Sequence, residues 1–131
     1  MLAWSDQFAT GNALVDAAHK MLFDKINALE ELLAGPPPTP AQCDALLGFL
    51  GSYVVTHFRH EENCMWQHRC PAHEKNKAAH ATFLEAFAAF KARYAAQGPD
   101  PALLRELHGV AASWIRNHIM TIDVQLKAAT A

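Results

Sequence analysis

Six side chains of metal-ligand type recur along the sequence at helical spacings: His19, His57, Glu61, His80, His118 and Asp123. His57 and Glu61 are four apart, which on a helix stacks both on one face, one turn above the other. His80 shares a helical face with Phe83, Phe87 and Phe90. His118 follows Trp114 by one turn, with Asp123 five residues further on. His19 lies in an apolar stripe with Leu22, Phe23, Ile26 and Leu29. One histidine on an apolar face is more often a hydrogen-bonded core residue than a ligand. A carboxylate there is different, because Glu61 and Asp123 would be costly to bury without a cation or a metal. Several neutral imidazoles with two carboxylates suit iron, manganese or zinc, whereas calcium and magnesium favour oxygen shells.

The elements that must position these residues are helical. Ala, Leu, Lys, Glu and Gln dominate four stretches, and strand signals are almost absent. The spacing predicts helices over about 16–33, 41–67, 72–97 and 101–128. Gly35-Pro-Pro-Pro-Thr-Pro40, Cys70-Pro71 and Gly98-Pro99 punctuate them, since proline lacks the amide donor and clashes with the preceding turn. Helices of about 18 to 28 residues would run roughly 27 to 42 Å. Short connections make consecutive helices antiparallel neighbours. The expected fold class is therefore all-α, an antiparallel up-down-up-down four-helix bundle. Residues 1–15 lack a clean period and read as an N-terminal arm carrying Trp4 and Phe8. Each helix then aims at least one ligand-type side chain at a shared core, where bundles build carboxylate-bridged metal sites.

Composition narrows the function classes. A chain of 131 residues can bury its own core as one domain, residues 1–131. A net charge of −2 offers no basic footprint for nucleic acid. No run of 18 apolar residues is present, so no membrane span is expected, and the first residues do not read as a signal peptide. Three cysteines, Cys43, Cys64 and Cys70, without a CxxC pair, suit a reduced, cytoplasmic protein.

The strings Asp16-Ala-Ala-His19-Lys-Met-Leu-Phe, His57-Phe-Arg-His-Glu61-Glu, His80-Ala-Thr-Phe83 and Trp114-Ile-Arg-Asn-His118-Ile-Met-Thr-Ile-Asp123 together resemble the bacteriohemerythrins. The resemblance covers nearly the whole chain, and the second and fourth strings are the specific ones. It implies two iron ions with a bridging oxo or hydroxo group. His19 and His57 would bind one iron, His80 and His118 the other, and Glu61 and Asp123 would bridge them. The implied partner is O2, or another small diatomic or peroxide ligand, and the implied role is oxygen storage, delivery or sensing.

One position departs from the family pattern. The residue four before His80 is Asn76, where the family has a further histidine. An asparagine carbonyl is a weaker iron ligand than imidazole. If His57 lies level with His80, antiparallel pairing sets Glu61 opposite Asn76 and Cys64 opposite His73. His73 is then one turn from the changed position and would reach it only if the helix start is distorted; the simpler reading makes it a polar corner residue. An opened position would favour an enzyme turning over peroxide, nitric oxide or O2. A mononuclear or zinc-loaded bundle and a metal-free interaction module are the other readings. Phe58, Phe83, Trp114, Ile115 and Ile119 are expected to wall the site, Tyr53 to pack near it, and His60, Glu62 and His108 to lie on the surface. Asp16 is expected to cap its helix, to support His19, or both.

Overall fold

Side-chain caps decide where the helices start. In the computed structural model, which describes residues 1–129, Asn12 accepts from the Val15 amide and opens α1, Ala13–Ala34. Thr39 and Gln42 form a reciprocal capping box around Pro40 at the head of α2, Pro40–Gln67. The corner after α2 turns at Arg69, whose φ of 52° is left-handed, and α3 runs His73–Gln97. Gly98, with φ of 72°, stops α3 while its amide donates to Tyr94 O at 2.7 Å. Asp100 accepts from the Ala102 amide and Pro101 takes the first position of α4, Pro101–Thr121. A 3₁₀ turn, Asp123–Gln125, and a short α5, Leu126–Ala129, complete the described chain.

The principal helix contacts run α1–α2, α2–α3, α3–α4 and α4–α1, so the four long helices close into a ring. No strand occurs among the described residues. The protein is an all-α four-helix bundle, as the periodicity predicts. Its core is filled from every helix, by Leu22, Ile26 and Leu29 of α1, Leu50 and Val54 of α2, Phe87 of α3, and Leu107 and Ala111 of α4. Burying each large aliphatic side chain stabilises the fold by about 1.5–3 kcal/mol. Gly51 lets α2 approach α3 closely, because a Cβ there would meet the Phe87 ring at 3.2 Å.

Two boundaries differ from the sequence expectation. Helix α1 starts three residues earlier, at Ala13, because Asn12 rather than Asp16 is the cap. Asp16 instead accepts from the amide and hydroxyl of Thr10, both at 2.8 Å, and ties the arm to the bundle. The arm contains a 3₁₀ turn, Asp6–Phe8, and packs Trp4 and Phe8 on Phe23, while Leu2 pairs its backbone with the Asn27 amide. The fourth helix does not continue to 128. It stops at Thr121, and Ile122 sits at φ −115°, ψ −57° before the chain resumes as a 3₁₀ turn.

Candidate metal centre

His19, His57, Glu61, His80, His118 and Asp123 all converge at one level of the bundle, each no more than 5 % exposed. Helix α1 contributes His19, α2 contributes His57 and Glu61, α3 contributes His80 and α4 contributes His118. Asp123 comes from beyond the break in α4. On an unbroken helix five residues would separate it from His118 by about 140° around the axis. The break turns it inward instead.

The carboxylates are shared. Glu61 Oε2 lies 2.9 Å from His19 Nε2 and 3.3 Å from His57 Nε2, while its Oε1 lies 3.2 Å from His80 Nε2. Asp123 Oδ2 lies 3.1 Å from His19 Nε2, and its Oδ1 lies 3.0 Å from His118 Nε2. Each carboxylate thus offers one oxygen to the His19 side and the other to the His80–His118 side. The donor atoms fall into two overlapping groups, His19–His57–Glu61 and Glu61–His80–His118–Asp123, each within 4.8 Å.

Electrostatics follow from this crowding. Burial works against the Glu61 carboxylate, but hydrogen bonds with His19, His57, His80 and Asp123 hold its pKa well below the usual range. Burial also opposes a charged His19, yet hydrogen bonds and charge from Asp123 and Glu61 raise it to about 9. Burial dominates at His57 and lowers it. At His80 burial is outweighed by Glu61 and Glu62, and the pKa rises. Asp123 Oδ1 is buried without an aligned donor among the described residues, despite its closeness to His118. A buried, unpartnered carboxylate oxygen facing ring nitrogens is what a cation would satisfy. With imidazole and carboxylate donors, the arrangement fits a pair of first-row transition ions.

Glu62 corrects the sequence reading. It is not a free surface residue: its Oε2 accepts from His80 Nδ1 at 2.9 Å, with the carboxylate 23 % exposed. A carboxylate partner requires the proton on Nδ1, so the neutral ring carries its lone pair on Nε2, directed at the cluster. Asp16 does not support His19, whose Nδ1 has no partner, as is also true of His57 Nδ1.

Asn76 is fully buried beside the cluster. Its amide donates to Glu61 Oε1 at 2.7 Å and approaches Met65 Sδ at 3.3 Å, while its Oδ1 lies 2.7 Å from His118 Nε2. The Glu61–Asn76 contact is the register the spacing implied. His73 does not join the cluster. It stays at the α2–α3 corner against Glu74, 3.2 Å away, and Trp66, with ring centroids 5.5 Å apart.

Aromatic rings clamp two of the histidines. Phe58 stacks on His80 at 3.8 Å and 5°, and Trp114 stacks on His118 at 4.3 Å and 11°. Phe83 packs on Trp114 at 4.5 Å, and Ile115 and Ile119 are buried beside them. Tyr53 is half-buried one turn before His57. Phe58, Phe83, Trp114 and Ile115 also border an almost wholly apolar cavity of about 30 Å³ between the helices.

Comparison with known proteins matches residues 10–129 to the hemerythrin HHE cation binding domain. The chain is 29 % identical over 122 residues to the bacteriohemerythrin of Pseudomonas aeruginosa, covering 93 % of this chain and 76 % of that one. It is 29 % identical over 125 residues to hemerythrin subunit alpha of Lingula reevii, covering 95 % and 92 %. With the bacteriohemerythrin of Methylococcus capsulatus it shares 26 % over 126 residues, covering 94 % and 92 %.

Proposed function

This chain belongs to the hemerythrin HHE cation binding domain family, and on that premise we propose that it is an O2-binding non-haem di-iron protein for oxygen storage, delivery or sensing. His19 and His57 would hold one iron, His80 and His118 the other, and Glu61 and Asp123 would bridge them. The observation that carries this reading is the splitting of each carboxylate between two sets of histidines. Once bound, the iron pair would supply the electrons and the open position that hold O2.

The chain's own residues do the rest. Glu62 fixes the His80 tautomer, and the stacked Phe58 and Trp114 rings restrict the rotation of His80 and His118. Phe83, Ile115 and Ile119 add an apolar wall that excludes water and slows proton entry, which favours release of O2 unchanged. Among the described residues no helix is long and apolar enough to cross a membrane. Cys43, Cys64 and Cys70 are free and buried, which suits a reducing, cytoplasmic setting.

Asn76 favours a second reading, a di-iron enzyme acting on peroxide, nitric oxide or O2, because one imidazole fewer faces the His80–His118 position. Anaerobic reconstitution with ferrous iron, metal counting and optical O2 titration test both. Two irons per chain and a visible band that forms with O2 and disappears under vacuum support carriage. A band that decays while O2 or peroxide is consumed repeatedly supports the enzyme. One metal or none per chain rules out the di-iron reading.

A further inference from the structure

Resting on the di-iron reading, we propose that Asn76 presents its carboxamide oxygen to the metal between His80 and His118 and thereby lets that position accept manganese beside iron. The amide nitrogen faces two acceptors, Glu61 Oε1 and Met65 Sδ, so the oxygen must be the atom turned toward His118. Around His118 Nε2 lie Asn76 Oδ1 at 2.7 Å, Asp123 Oδ1 at 3.0 Å and His80 Nε2 at 3.2 Å. Glu62 accepts a hydrogen bond from His80 Nδ1, so in the neutral ring the lone pair lies on Nε2, toward the same point. A single proton on His118 can serve one of these three neighbours. A divalent cation serves them together.

The two positions then differ in composition. The His19–His57 position draws on two imidazoles and the oxygens Glu61 Oε2 and Asp123 Oδ2. The His80–His118 position draws on two imidazoles, Glu61 Oε1, Asp123 Oδ1 and, in addition, Asn76 Oδ1. Nitrogen donors favour iron, and oxygen donors favour manganese. An amide oxygen where a third imidazole would otherwise stand therefore narrows the preference for iron at that position alone.

The test offers metal-free protein equimolar Fe2+ and Mn2+ without O2, removes loose metal and counts both elements, with thermal melts to show that each variant is folded. Wild type should retain two metals per chain with manganese among them. Asn76→His should lower the bound manganese-to-iron ratio by about tenfold, the scale on which groups around a metal alter affinity. Asn76→Asp, which keeps an oxygen, should hold two metals and the manganese share, and Asn76→Leu should lose the second metal. If folded Asn76→Asp and Asn76→Leu both bind two metals at the wild-type ratio, the assignment of Asn76 fails while the di-iron reading stands. If wild-type protein binds no metal, both fail.

Discussion

Replacing Glu62 by glutamine should weaken metal binding at the His80–His118 position and leave the His19–His57 position as it was. Glu62 reaches the cluster through His80 Nδ1, at 2.9 Å. A hydrogen bond to a charged acceptor stabilises by about 1.5–3 kcal/mol and a neutral one by about 0.5–1.5 kcal/mol. The neutral amide therefore forfeits roughly 1–1.5 kcal/mol of support for the imidazole when it carries a bound cation. Partial exposure of Glu62 and competition from water reduce this, so about a threefold to fivefold loss of affinity is expected at one position. Glutamine can also present its NH2 and reverse the tautomer, so Glu62→Ala is the companion variant, with an expected loss of 10- to 100-fold. Chelator competition with ferrous iron under anaerobic conditions, resolved into two binding steps, measures both. Equal weakening of the two steps, or no change in either variant, would refute the idea that Glu62 acts by orienting His80.

Four further outcomes are expected. His73→Ala should leave metal count and optical spectrum unchanged, since His73 sits against Glu74 and Trp66; loss of one metal would place it in the coordination shell after all. Without metal, stability should be greatest near pH 6.5. The Glu61 contribution is lost as the carboxylate is protonated in acid, and His57, lowered in the fold, charges more readily when unfolded. His19 contributes fully below 6.5 and loses its contribution as pH rises through about 9. Thermal midpoints across this range check it, and because the His19 proton must leave, metal affinity should climb with pH up to about 9. Leu22→Ala, at a fully buried core position, should destabilise the fold by about 3–5 kcal/mol, read by denaturant unfolding.

Much of this protein is legible in one dimension. Apolar residues at helical spacing, with proline and glycine between them, specify four helices, because periodicity determines which side of a helix can be buried. The same periodicity places His19, His57, Glu61, His80 and His118 on inward faces, and the one-turn offset between α2 and α3 sets Glu61 against Asn76. What spacing does not carry is reach across helices. Glu62 is next to Glu61 and about 100° around the helix, yet its side chain extends along the flank of α2 to His80. Asp16 has the residue type of a cap, but the arm brings Thr10 to it while Asn12 caps the helix. His73 lies within one turn of the cluster in sequence and points at the corner. The break at Ile122 has neither proline nor glycine to announce it, though it is what brings Asp123 level with His118. Residue type and spacing suffice for the helices and the ligand types. Tertiary packing decided which oxygen faces which nitrogen, because that depends on the rotation and separation of helices that touch only once folded.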